Sequence, residues 1–377
     1  MSNKKLLFFI CCYAICLFLF SFFIVPTTDS YYYFTWSQNL QLSYLDGPPL
    51  IAYLLNLSTH LFGYNFFAIE LVSLLSVYGS AFLIYKIVCL YNEKSTALLS
   101  SCLLLVYPFS TTRFVSVSMT LDGLELITSL LLIYTSMLWI KYKKNTYIYY
   151  IGLSIGISLL AKYNNIILIS GIAIYFVLNK DLRKIFCLVH VYISILISLL
   201  IFLPVIIWNY QHHWISFIYQ LTSHKWNGDI HAINSSLKYG IRGVWFYLSS
   251  CVFGVLNIFL ILLIYFRYIK KIIITSNHYN NLLIFIIYFI ILFWLLESYT
   301  SHIGLNYLVS CSSILIILVS QQLAKFNNGK LIYFLLILFT FSSTIMLIDK
   351  SRIHKQDVYN YNKYVKSGIL NRFIINF

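Results

Sequence analysis

Long apolar runs alternate with short polar connections along most of the chain. They fall near residues 6 to 25, 65 to 90, 96 to 110, 121 to 140, 185 to 207, 244 to 266, 281 to 297, 303 to 320 and 331 to 348, with two shorter runs inside 147 to 178 that break at Lys162. A helix needs about 20 apolar residues to cross about 30 Å of hydrocarbon. The pattern therefore predicts an all-α, polytopic membrane protein with about 11 transmembrane helices, nine runs plus two. Residues 27 to 64 break the alternation. There the cluster Tyr31, Tyr32, Tyr33 and Trp36 predicts a helix lying in the headgroup layer. The turn Asp46-Gly47-Pro48-Pro49 then opens a second amphipathic helix, proline being tolerated in a first helical turn. No linker or internal repeat interrupts residues 1 to 348, which read as one membrane domain followed by a short basic tail, 349 to 377.

Composition agrees with the pattern. Of the 377 residues, 60% are hydrophobic and only 10% charged, whereas soluble domains carry about 25% charged residues. The net charge of +15 is not gathered into a soluble basic patch, which argues against nucleic acid and for loops that face anionic lipid. The eight cysteines show neither metal spacing nor a disulfide framework and are expected to be small buried hydrophobes. Lys4 and Lys5 precede a first run longer than a signal-peptide core and without a small-residue cleavage site, so an uncleaved first helix is expected.

Charge asymmetry sets an orientation. With the N-terminus in the cytoplasm, basic residues such as Lys86, Lys94, Lys141, Lys143, Lys144, Lys180, Arg183, Lys184 and Lys325 fall on the cytoplasmic side, and only the basic tail fits poorly. Acids behave oppositely: of the 11, Glu93 and Asp181 alone are cytoplasmic, while Asp29, Asp46, Glu70, Asp122, Glu125, Asp229, Glu297, Asp349 and Asp357 lie in or near the outer half. A carboxylate close to hydrocarbon is costly unless it is paired or functional, so the outer face is where a site is expected. Asp29 and Asp46 could equally be ordinary helix-capping residues. Among His212, His213, His224 and His231, a metal site would draw on His224 with an oxygen from Asp46. A solvated aromatic loop is the alternative, and Trp208, Trp214 and Trp226 could stack on a sugar ring.

Asp29 followed by tyrosines and Trp36-Ser37-Gln38, then Tyr44-x-Asp46-x-Pro48-Pro49-Leu50, resembles the first outer loop of the bacterial dolichyl-phosphate-mannose protein mannosyltransferase-like family. The resemblance continues through Thr120-Leu121-Asp122, Leu160-Ala161-Lys162-Tyr163, Pro204 to Asn209, and His213-Trp214-x-Ser216-Phe217, in the family's order over about the first 225 residues. These are C-type glycosyltransferases, relatives of the lipid A 4-amino-4-deoxy-arabinose transferases. Two differences stand out: Ser30 follows Asp29 where many members have a second acid, and Gly47 stands where the arabinose transferases have a lysine.

The resemblance implies a C-type glycosyltransferase fold with juxtamembrane helices in the first periplasmic loop, and a multi-pass protein of the bacterial inner membrane with its site facing the periplasm. It implies transfer of a sugar, with inversion, from a polyprenyl-phosphate donor to lipid A, an envelope glycan or a similar acceptor. A divalent cation is the one cofactor such chemistry could add. Asp29 then corresponds to the catalytic aspartate, with Asp122 as a second acidic position. Lys162, Arg242 and Arg113 are candidate contacts for the donor phosphate, although Lys162 could instead snorkel at a helix end. Asp46, Tyr32, Tyr163, Trp208, Asn209 and His213 are candidate substrate contacts. Competing readings are a protein O-mannosyltransferase-like enzyme, a transporter or flippase, and an inactive relative that scaffolds an envelope complex. A transporter would place ionisable groups near the bilayer midplane.

Overall fold

The computed structural model describes residues 3–22, 27–107, 119–222, 241, 243–245, 247–248, 278–301, 303, 305–326, 329–332 and 334–340. Among them the fold is helical, and its order follows the apolar runs: α1 (Asn3–Ser21), α2 (Thr28–Gln38), α3 (Leu50–Phe62), α4 (Phe66–Cys89), α5 (Lys94–Val106), α6 (Leu121–Tyr142), α7 (Asn145–Ala161), α8 (Asn165–Leu178), α9 (Val189–Gln211), α10 (Ile215–Thr222), α11 (His278–Glu297) and α12 (Val309–Phe326). Among the described residues, five stretches are long and apolar enough to cross a membrane: Phe66–Cys89, Leu121–Tyr142, Val189–Gln211, His278–Glu297 and Asn306–Lys325. The expected span at 244 to 266 and most of 331 to 348 lie largely or partly outside the described residues, as does the tail.

The ends of these helices follow from local chemistry. Thr27 caps α2, its hydroxyl accepting the Ser30 N–H at 3.2 Å, and Asn65 caps α4 by accepting the Ala68 N–H at 2.8 Å. Gly63 ends α3 at φ +80°, a conformation in which any Cβ is strained. The sequence places Asp29 just past the first span. In the structure it belongs to the first turn of α2, so the interfacial helix starts earlier than the tyrosine cluster indicates.

The centre and the rim of the bundle differ sharply. In α6, 78% of the apolar window is buried, against 28% in α9, so α6 is enclosed by protein while α9 turns most of its surface outward. The outer α9 is nonetheless held tightly. A Cβ on Gly152 would lie 2.3 Å from the Ser194 carbonyl oxygen, and one on Gly156 would lie 2.7 Å from Ile201 Cβ. This small-xxx-small face of α7 lets two backbones touch, the usual way helices associate where lipid removes any hydrophobic drive. The cysteine expectation is corrected in part. Cys102 and Cys311 are buried, but Cys11, Cys12, Cys16 and Cys187 are exposed, and on α1 the exterior is where lipid would pack.

Charge divides the bundle along its axis. Of the described Lys and Arg side chains, all but Lys162 belong to the end that holds the N-terminus of α1 and the C-termini of α4, α6, α8 and α12. Asp29, Asp46, Glu70, Asp122, Glu125 and Glu297 belong to the opposite end, leaving Glu93 and Asp181 with the cations.

Candidate active site

At the acidic end, the starts of α2, α3, α6 and α8 and the segment before α12 converge. They enclose a cavity of about 270 Å³ lined by Asp29, Tyr33, Asp46, Pro48, Thr120, Leu121, Asp122, Lys162, Tyr163, Asn164, Gln220, Asn306 and Tyr307. A larger cavity, about 830 Å³, lies at the basic end between α1, α5 and α12. It contains none of the convergent acids, and the chemistry favours the smaller one.

Lys162 forms the polar centre. It occupies the break between α7 and α8, and its Nζ lies 2.5 Å from Asp122 Oδ1 and 2.6 Å from Glu125 Oε2. The two acids stand three residues apart in the first turns of α6, hence on one helical face, where the N-terminal end of the helix dipole also favours negative charge. An ammonium group has three protons to donate. Two are used here, and the Tyr307 ring lies on another side with its centroid 5.6 Å from Nζ. The group carries one positive and two negative formal charges, so holding two buried carboxylates is the first task of this lysine. Sequence spacing could not show that Glu125 takes part.

Asp46 faces the same cavity from the turn before α3. The turn is closed by a backbone bridge between Tyr44 and Gly47, and a Cβ on Gly47 would come within 3.1 Å of Leu121 Cδ1, so a small residue keeps the loop against α6. Burial pushes the Asp46 carboxyl up to about 6, a hydrogen bond from Gln220 opposes the rise, nearby Asp29 adds to it, and Lys162 lowers it. Gln220 Nε2 donates to the Asp46 carbonyl at 2.7 Å and reaches its carboxylate at 3.4 Å, which ties α10 over the turn. The Tyr163 hydroxyl bridges Ser43 Oγ at 3.1 Å and Ser216 Oγ at 3.2 Å, joining the helix break, the first loop and α10.

The remaining candidates separate. Asp29 is exposed and lines the cavity. Tyr33 lines it, whereas Tyr32 stacks edge-on against Tyr33 and Trp36. Trp208, Asn209 and His213 lie beyond the lining: Trp208 Nε1 donates to Gln41 Oε1 at 3.0 Å, Asn209 Nδ2 donates to the Val205 carbonyl at 3.0 Å, and His213 is exposed at φ 55° in the turn after α9. Arg113, Arg242 and His224 fall outside the described residues. Among those described, no three His, Cys, Asp or Glu side chains are grouped to hold a metal ion. Sequence reading placed Glu125 among the outer acids without giving it a role, and it missed Gln220, Asn306 and Tyr307. It noted Ser30 only for the acid it lacks, yet Ser30 Oγ donates to a carboxylate from elsewhere in the chain, Glu70 Oε1, at 2.8 Å.

This architecture has known counterparts. Residues 46–208 match the family described as dolichyl-phosphate-mannose-protein mannosyltransferase. Over those residues, less than half of the chain, it is similar to that family. The match includes Asp46, Asp122, Lys162 and Tyr163 and begins after Asp29. No curated protein matches the chain in sequence. Among solved structures, the chain is similar to ArnT from Cupriavidus metallidurans in the apo state, with a TM-score of 0.66 at 13% identity over 86% of this chain and 60% of that one. The same enzyme bound to undecaprenyl phosphate gives a TM-score of 0.68 at 13% identity, covering 90% and 63%. The oligosaccharyltransferase of Archaeoglobus fulgidus, in complex with Zn and sulfate, gives 0.54 at 16% identity, covering 92% and 53%. At such identities the likeness is one of fold, shared with ArnT and with the oligosaccharyltransferase. The chain spans less than two thirds of the length of each of these structures.

Proposed function

We propose that this protein is a membrane glycosyltransferase that moves a sugar from a polyprenyl-phosphate donor to an acceptor hydroxyl at the acidic end of the bundle. The observation that carries this reading is the convergence of Asp29, Asp46, Asp122 and Lys162 on one cavity, in a fold shared with a structure that binds undecaprenyl phosphate. That end faces the periplasm of a bacterial inner membrane in this reading, because the positive-inside rule keeps the opposite, basic end in the cytoplasm. The acceptor is lipid A or another envelope glycan.

Asp29 is the general base, being the acid of the cavity that is exposed. The acceptor oxygen attacks the anomeric carbon and its proton passes to Asp29. The bond from that carbon to the phosphate oxygen breaks, and the polyprenyl phosphate departs with the electron pair, inverting the centre. Lys162 meets the donor phosphate through the N–H left over from Asp122 and Glu125, with Arg113 and Arg242 as further cations for the departing charge. Tyr33, Tyr163 and Asp46 orient the sugar. A transporter is less well supported, since the acids gather at helix ends rather than at the middle of the spans.

The test is transfer of label from a radiolabelled polyprenyl-phosphate sugar by the purified protein in lipid. Asp29→Asn is expected to abolish transfer while leaving the melting temperature and donor-lipid binding unchanged. Full activity in that variant removes Asp29 from the mechanism, and absence of transfer by the wild type with any such donor removes the function.

A further inference from the structure

Glu70 is a carboxylate in the second turn of α4, a membrane-spanning helix, and is 1% exposed. Such a group is expensive to place near hydrocarbon, and the transfer chemistry above does not use it. Its Oε1 accepts the Ser30 hydroxyl at 2.8 Å. A serine hydroxyl has one proton to give and two lone pairs to fill. With its proton committed to Glu70, Ser30 Oγ accepts the Met119 N–H at 2.9 Å, and its second lone pair faces the Thr27 hydroxyl at 3.1 Å. Every valence of this one oxygen is therefore used.

Two of the three segments that meet there carry groups of the proposed site. Ser30 directly follows Asp29 on α2. Met119 precedes Thr120, which enters α6 without a side-chain cap of its own, and Asp122 lies in the first turn of that helix. Glu70 anchors both to α4. A hydrogen bond to a carboxylate is shorter and about twice as strong as a neutral one, so Glu70 fixes the Ser30 rotamer and with it the register between α2 and the start of α6. A leucine at 70 would suit the membrane and leave Ser30 without its carboxylate acceptor.

We propose that Glu70 is a positioning residue for the transfer site, acting through Ser30 to hold Asp29 and Asp122 in register across the cavity. The inference rests on the transfer reading, but the junction itself can be tested apart from it. Four variants are compared in lipid nanodiscs: Ser30→Ala, Glu70→Leu, the double variant and Glu70→Gln, whose amide oxygen still accepts from Ser30. The expected result is a drop in kcat of roughly tenfold to a hundredfold for either single loss, as a misplacement of about 1 Å would give. KM for the lipid donor stays within about twofold of the wild type, because the lost register matters only in the reacting geometry. The double variant is no worse than the worse single, because both remove one bond, and Glu70→Gln keeps most of the activity. Amide exchange in peptides covering 119 to 125 is expected to be faster in Ser30→Ala than in the wild type, since the Met119 N–H loses its acceptor.

Unchanged exchange at 119 to 125 in Ser30→Ala overturns the junction whatever the activity does. Wild-type kcat in Ser30→Ala, or multiplying losses in the double variant, overturns the positioning role. Should Glu70→Leu fail to fold, Ser30→Ala decides alone, because it removes the same bond without touching the spanning helix. A wild-type protein that transfers no sugar but shows the change in exchange overturns the transfer reading and keeps the junction.

Discussion

Lys162 Nζ and Asp122 Oδ1 stand 2.5 Å apart at a helix break, with Glu125 Oε2 at 2.6 Å from the same nitrogen. Removing one member of such a buried group strands the others, which costs about 3–5 kcal/mol. Lys162→Met is expected to be the most damaging single change in this cluster, since it leaves two carboxylates together without a counter-ion. Glu125→Gln should be the mildest, because the amide oxygen still accepts and Asp122 still neutralises. Thermal melts in detergent check the order, and a Lys162→Met protein that melts with the wild type refutes the assignment.

Asp46 sets a pH dependence. Its carboxyl is raised from 3.8 to about 6 in the fold. The folded state therefore holds a proton that the unfolded chain has lost between these values, and the contribution of Asp46 to stability falls as pH rises through this window. Asp46→Asn is expected to raise the melting temperature at pH 7, by the equivalent of about 1–2 kcal/mol, and to leave it nearly unchanged at pH 4. If ionised Asp46 orients the sugar, wild-type activity should climb with pH through about 6, and the variant should lack that limb. Rate–pH profiles and melts measured on the same samples decide both points.

Gly152 and Gly156 should tolerate no side chain. The obstruction at Gly152 is the Ser194 carbonyl, backbone that cannot rotate away. Gly152→Ala is expected to destabilise by about 1–3 kcal/mol through overpacking, and Gly152→Leu to prevent the α7–α9 contact altogether. Size-exclusion profiles and melting curves in mild detergent report the loss. Gly329, with nothing within 4 Å, is the control: Gly329→Ala should behave as wild type.

Tyr163→Phe deletes the hydroxyl between Ser43 and Ser216 and keeps the ring that packs edge-on against Phe217. A stability loss of about 1 kcal/mol is expected, with a larger loss in activity because α10 is released from the first loop. Equal losses in both would make the bridge purely structural.

The sequence displays some of this and hides the rest for identifiable reasons. Apolar runs report helices directly, and the break at Lys162 was visible because a lysine between two short runs interrupts hydropathy. Its partners were not. Asp122 could be singled out at the end of a run, but Glu125 sits three residues into the same helix, and nothing along the chain says that its face turns toward residue 162. Likewise Ser30 reads as a departure from a family pattern, and only the fold brings Glu70, 40 residues later, against it. Tyr32 and Tyr33 are indistinguishable by composition, and the helical phase of α2 alone puts Tyr33 in the cavity. Trp208 carries a motif whose main partner, Gln41, comes from a loop with no sequence signal of its own.

After α9 the chain turns through two left-handed residues, His213 and Trp214, and doubles back as α10, which carries Gln220 to Asp46. Among the five described helices of membrane-spanning length, the least buried one is thus coupled by one short reversal to the helix that ties down the Asp46 turn. A spanning helix meets a change in bilayer thickness by tilting, so transfer is expected to vary with lipid chain length, which reconstitution in bilayers of graded thickness measures.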